Sequence, residues 1–141
     1  MADRLEEAQR KSQVPARGIP RKYFLPILYL AEQMAKADKV VVPPERKVIN
    51  DLIRITHLEN YRHEQGYREM TDQTACAQLD IEPAKTAALV IISLVLKVDL
   101  NRAEEEVAYF GKIRELLEMK PISVPMDLEE HRRLALSYLG G

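Results

Sequence analysis

The chain has 141 residues, 46% of them hydrophobic and 30% charged, with five Gly and eight Pro, which fits one globular domain and leaves too little length for a second. Twenty-one Lys and Arg against 22 Asp and Glu give a formal charge of -1, so no global field draws the chain to nucleic acid or to an anionic membrane. The longest apolar stretch, residues 87–96 between Lys85 and Lys97, is about half of what crosses a bilayer, the single Cys76 makes no internal disulfide, and with no apolar signal segment before Val14 the expected location is cytoplasmic.

Residues 1–22 hold six basic and three acidic side chains, broken by Pro15, Gly18 and Pro20. They read as a mobile charged arm, in which Arg17, Arg21 and Lys22 form a solvated tail. Phe24, Ile27, Leu28, Ala31, Met34 and Ala35 then recur at i, i+3, i+4 and predict a helix, with Pro26 in its first turn and an end near Ala37 or Asp38. That end follows from Val40, Val41 and Val42, β-branched and abutting Pro43. Pro43 and Pro44 open a second amphipathic helix, carried by Val48, Ile49, Leu52, Ile53, Ile55 and Leu58 and stopped by Gly66. Residues 67–79 are short of large apolar side chains and predict only a brief helix at 72–78, with Cys76 as a small buried hydrophobe.

Asp80 or Glu82 caps the next helix, with Pro83 in its first turn, and residues 87–96, apolar on nearly every side, mark it as the central element of an all-α domain. Asn101 and Glu104 have capping-box spacing, and Val107, Tyr109, Phe110, Ile113, Leu116 and Leu117 give a further apolar face up to Pro121. Asp127 and Glu130 repeat that spacing before Leu128, His131, Leu134, Ala135, Tyr138 and Leu139, with Gly140 as terminator. The organisation is therefore an arm (1–22), a helical domain (23–120) and a C-terminal helical appendage (121–141). The last helix either folds back on the bundle or offers its stripe to a protein partner, a second copy of the chain included.

An offset of 61 residues superposes the two halves: Leu30 on Ile91, Met34 on Val95, Lys36 on Lys97, Asp38 on Asp99, Glu45 on Glu106, Ile49 on Phe110 and Leu52 on Ile113. Each half is a helix, a loop running from Asp to Glu, and a second helix. Neither hairpin buries its own stripe, so two facing hairpins make the simplest shared core. The first loop, Ala37-Asp38-Lys39-Val40-Val41-Val42-Pro43-Pro44-Glu45, resembles the A-D-G-x-(V/I)-x-(P)-x-E loop of the TerB-like (tellurite-resistance TerB) family. The second loop matches at Asp99 and at the acidic run ending in Glu106. The similarity covers roughly residues 25–117; Lys39 stands where the family has Gly, and Leu100 and Arg102 replace its Gly and aliphatic residue.

The resemblance implies an all-α bundle of two pseudo-repeated hairpins with an appended C-terminal helix. It also implies a non-catalytic interaction or scaffold module of a bacterial stress-response system, a kind of module that also occurs in co-chaperones. A divalent cation, Mg²⁺ or Ca²⁺, is the one ligand it offers, through Asp38, Glu45, Asp99 and Glu106; no cofactor is required. Hard oxygen donors suit such ions. The structural alternative is preferred, because acids in first helical turns are stabilised by the dipole by roughly 0.3 to 1 kcal/mol and Lys36, Lys97, Arg46 and Arg102 stand nearby in sequence to neutralise them.

Other constellations carry less. His63-Glu64-Gln65-Gly66-Tyr67 has Tyr where a zinc-binding H-E-x-x-H needs its second His, so Glu59 and His63 read as an exposed helical pair. Ser93 sits inside the apolar run with no nucleophile-base spacing, and no phosphate loop, dinucleotide fingerprint or C-x-x-C is present. The six Tyr fall mostly at apolar helical positions and read as core-edge residues with wet hydroxyls. The chain is expected not to be an enzyme, the alternative being a metal-dependent enzyme built on the loop carboxylates.

Overall fold

The computed structural model describes residues 18–37, 41–98 and 104–140. Among these the chain forms seven α-helices and no strand. After a 3₁₀ turn at Arg21–Tyr23 come α1 (Phe24–Lys36) and α2 (Pro43–Thr56). A 3₁₀ turn at Tyr61–His63 leads into the short α3 (Gln65–Arg68) and α4 (Asp72–Gln78), followed by α5 (Glu82–Val98), α6 (Glu104–Leu116) and α7 (Leu128–Ser137). No helix of the described residues is long and apolar enough to cross a membrane.

The all-round apolar character of residues 87–96 has the consequence the pattern predicts. In α5, Ala87 to Ile92 and Leu94 and Val95 are all buried, because α1 packs along one side of the helix and α7 along another, with α2 and α6 closing the rest. The α1 stripe supplies the facing layer: Ile27, Leu28, Leu30, Ala31, Met34 and Ala35 are each at most 2% exposed. Burying one side chain of this size contributes about 1.5–3 kcal/mol, so the α1–α5 seam is the principal source of stability. The small helix α4 wedges Ala75 and Cys76 against α1 and α6, and α2 and α6 each lie against both α1 and α5.

Four expectations are corrected. First, α2 ends at Thr56, not at Gly66. His57 takes a left-handed conformation (φ 59°), Leu58 N–H reaches back to the Ile53 carbonyl at 3.1 Å, and the Thr56 hydroxyl donates to the Leu52 carbonyl at 2.7 Å. These bonds satisfy the terminal carbonyls as in a Schellman stop, and Gly66 falls inside α3. Glu59 and His63 consequently lie beyond the helix and are no i, i+4 pair.

Second, Val107 and Leu116, placed on the buried face of α6, are 53% and 37% exposed; the buried edge of this helix is Glu106 and Ile113. Third, α6 stops before Pro121, at a left-handed Glu118 (φ 55°). Fourth, the end of the predicted arm is anchored at Ile19 and Arg21: Ile19 is 3% exposed, its N–H donates to the Tyr138 carbonyl at 2.8 Å, and the Arg21 guanidinium donates to the Thr56 carbonyl at 3.0 Å. Gly18 makes the first of these contacts feasible. Its φ is +76°, and a Cβ there would stand 2.7 Å from the Tyr138 carbonyl oxygen, closer than any side chain tolerates.

Of the two fates open to the last helix, α7 takes the intramolecular one. It packs on α5 and buries His131, Ala135, Tyr138 and Leu139. Its cap follows the predicted spacing, the Glu130 N–H donating to Asp127 Oδ2 at 3.0 Å. The Asn101–Glu104 cap lies outside the described residues.

Candidate functional site

Two of the four candidate carboxylates, Asp38 and Asp99, lie outside the described residues. The other two lie near the described starts of their helices, Glu45 as the third residue of α2 and Glu106 early in α6, and both are 0% exposed. The local reason is clear at Glu45. Val42 precedes α2 with no side-chain acceptor, and Pro43 and Pro44 have no N–H to satisfy. Glu45 Oε1 therefore accepts the Val42 N–H at 3.0 Å, which folds the carboxylate back under the first turn.

At Glu45 the backbone bond gives the carboxylate a structural role. One Glu45 oxygen is committed to the backbone, α2 and α6 pack chiefly on the central helices rather than on each other, and the described residues contain no group of three or more His, Cys, Asp or Glu that would hold a metal ion.

The densest polar cluster is one that sequence reasoning passed over. Glu32, 4% exposed on α1, receives four donors. Tyr61 Oη and Tyr67 Oη reach its Oε2 at 2.5 and 2.7 Å, and Lys36 Nζ and an Arg62 guanidinium nitrogen reach its Oε1 at 2.8 and 3.3 Å. Arg62 Nε also donates to Tyr61 Oη at 2.8 Å, and the Tyr61 and Tyr67 rings meet edge-on, centroids 4.8 Å apart. Burial pushes the Glu32 carboxyl upward, but the bonds from Lys36, Tyr61 and Tyr67 outweigh it and leave the group below the usual carboxylate range. Tyr61 responds in the opposite sense, pushed up to about 12 by burial and by its bond to Glu32. Glu32 is thus a fixed anion with its lone pairs occupied, suited to pinning the 61–68 segment onto α1 and unsuited to proton abstraction. The sequence signals were a carboxylate placed i+4 from the buried Leu28 and a lysine, Lys36, placed i+4 from that carboxylate.

A second tie of the same kind joins α4 to α6. Tyr109 Oη donates to Asp72 Oδ1 and Lys112 Nζ to Asp72 Oδ2, each at 2.9 Å. Tyr23 Oη donates to Asp80 Oδ1 at 2.5 Å. The hydroxyls of Tyr23, Tyr61, Tyr67 and Tyr109, expected to be wet, instead bond to carboxylates. The Cys76 thiol beside this tie is pushed up to about 11 by burial and by Asp72, so it stays protonated at neutral pH and is a poor nucleophile.

His131, counted as an apolar-face position in the sequence, is 0% exposed. Its Nε2 lies 2.9 Å from the Val90 carbonyl and 3.1 Å from Ser93 Oγ. A carbonyl only accepts, so Nε2 carries the proton, and Nδ1 is buried with no hydrogen-bond partner among the described residues. Among the described residues no carboxylate orients the ring, and Ser93 Oγ donates to the Val90 carbonyl at 2.8 Å, so the pair lacks the geometry of an activated nucleophile there.

Burial, and after it the charge of Lys97, outweigh the Val90 bond and hold the His131 pKa below its ordinary value. The unfolded chain therefore binds more protons than the folded one in the interval below about 6.5. Stability from a neutral His131 is full above that pH and is lost as pH falls through the interval, and Glu32 adds a loss in the same direction at lower pH. The expected result is a lower urea midpoint at pH 5.5 than at pH 7.5, with an NMR titration midpoint for His131 below about 6.5; a midpoint above that value would contradict the burial argument.

Comparison of the chain with protein-family models, with curated proteins and with solved structures finds no match.

Proposed function

We propose that this chain is a non-catalytic helical module of the TerB-like kind, acting by contact with a protein partner in a cytoplasmic, tellurite-resistance-like bacterial stress response. The observation that carries this reading is the matched pair Glu45 and Glu106. They stand 61 positions apart, one in the first turn of α2 and the other early in α6, and are equally buried. The packing supports the two-hairpin interpretation: α1 and α5 form the central pair, and α2 and α6 each rest on their own hairpin partner and on the opposite central helix. The equivalent positions Leu30 and Ile91, Met34 and Val95, and Leu52 and Ile113 are all buried.

In this reading the buried acids Glu45 and Glu106 position their helices, and the polar clusters at Glu32, Asp72 and His131 hold the bundle together. Cation binding through Asp38, Glu45, Asp99 and Glu106 is weak, since the charges of Lys39 and Arg102 oppose a dication. Calorimetric titration with Mg²⁺, Ca²⁺ and Mn²⁺, on the wild type and on Asp38→Asn/Asp99→Asn, tests this. The expected result is no binding tighter than about millimolar, the range of the weakest Ca²⁺ modules. Micromolar binding abolished by the double substitution would overturn the reading and favour a metal-dependent enzyme.

A further inference from the structure

A shallow recess of about 20 Å³ opens between the end of α1, the first turns of α2 and the 3₁₀ turn at Tyr61–His63, lined by Glu32, Lys36, Val41, Arg46, Ile49 and Arg62 among others. Among the described lining residues three side chains are cations and one is an anion, an excess of two positive charges. Two of the cations are already held in place. Lys36 and Arg62 reach Glu32 Oε1 with side chains that remain 52% and 62% exposed, so each keeps further N–H groups directed at solvent. Arg46, exposed at the fourth position of α2, makes no side-chain hydrogen bond or ion pair among the described residues. Val41 and Ile49 supply an apolar wall that weakens screening of whatever charge enters.

We propose that this recess binds a phosphate dianion, as the free ion or as a monoester, with Arg46 as its principal ligand and Lys36 and Arg62 as flanking donors. The charge match selects the class: a phosphate monoester carries about -1.5 to -2 near neutrality, equal to the local excess, whereas a carboxylate leaves one cation uncompensated. The recess exceeds the roughly 10–15 Å³ that one water needs, so it takes one phosphate oxygen inward and leaves the others at the mouth. There the planar guanidinium of Arg46 offers two parallel N–H donors. Because Glu32 fixes Lys36 and Arg62 before any ligand arrives, the ordering that opposes binding falls mainly on Arg46.

The test is calorimetric and NMR titration of the full chain with inorganic phosphate, comparing wild type with Arg46→Gln and with Lys47→Gln. Lys47 is an exposed cation on the same helix that does not line the recess. The expected result is saturable binding that shifts the Arg46 Nε–H resonance, weakens about tenfold or more in Arg46→Gln through loss of a charge-assisted pair, and is unchanged in Lys47→Gln. Acetate at equal ionic strength binds at least about tenfold more weakly, lacking the second charge. Arg46 is exposed and without a side-chain partner among the described residues, so a melting curve matching wild type accompanies the loss of binding. Glycerol phosphate then separates the sources: binding equal to inorganic phosphate assigns the monoester, and weaker binding assigns the free ion. Absence of saturable binding, equal losses in the Arg46 and Lys47 variants, or acetate binding as tightly as phosphate would each overturn the proposal.

Discussion

Aspartate in place of Leu94 is expected to abolish the cooperative fold. Leu94 is 1% exposed in α5, the helix that contacts α1, α2, α6 and α7. Truncating a buried leucine alone removes about 2–5 kcal/mol, and an unpaired carboxylate among Leu, Ile and Val side chains adds a desolvation penalty of several kcal/mol more. Domains of this size have about 5–15 kcal/mol in total, so the sum consumes most or all of it. Val107→Asp makes the same chemical change at a position 53% exposed and is expected to change stability by no more than about 0.5 kcal/mol. Thermal unfolding followed by circular dichroism separates the two. A Leu94→Asp melting curve equal to that of wild type would show that α5 is not the centre of the bundle.

The second large effect is expected at Glu32. Glu32→Ala leaves the Tyr61 hydroxyl, on a residue only 3% exposed, with its carboxylate partner gone, and frees Tyr67 as well. Lys36 and Arg62 are more than half exposed and turn to water at little cost. The loss therefore comes mainly from the two tyrosines and the packing they hold, about 2–6 kcal/mol, at one to three for each group left unsatisfied. Glu32→Gln keeps the size and one acceptor but points an amide donor at cations, so an intermediate loss is expected. Urea unfolding gives all three values, and hydrogen exchange on residues 61–70 should accelerate selectively, since that segment is what Glu32 ties to α1. Wild-type stability in Glu32→Ala would mean that the four bonds contribute no net stability.

These two positions also mark what sequence reading reaches and what it does not. The stripe of α1 and the run at 87–96 are local periodicities, and local periodicity is set by the same geometry that buries the residues. Glu32 differs: apart from Lys36 at i+4, its partners lie 29, 30 and 35 positions away, and spacing along one helix says nothing about side chains arriving from another. The end of α2 was misplaced for a related reason. Ile53, Ile55 and Leu58 continue the apolar count, but a left-handed His57 stops the helix, and His is no stop signal of the strength of Gly66. Val107 and Leu116 fit a helical stripe numerically; which side of α6 faces inward is decided by α4, α5 and α1 together. Glu45 was legible as a first-turn acid, and its complete burial was not, because such acids are ordinarily solvated. Only the preceding Val42-Pro43-Pro44, poor in side-chain acceptors, hinted that Glu45 itself must serve the backbone.

The central claim, that Glu45 and Glu106 are matched structural positions of a repeated non-catalytic module, is tested most directly by urea unfolding of wild type, Glu45→Ala and Glu106→Ala, each in EDTA and in excess Mg²⁺. The account predicts comparable losses in the two variants, about 1–3 kcal/mol each as for other buried polar groups stripped of their role, and the same values with and without the cation. A ligand that binds only the folded state raises stability in proportion to its occupancy, so the contradicting result is equally clear: variants as stable as wild type in EDTA, and a wild type that gains stability in Mg²⁺ while both variants do not.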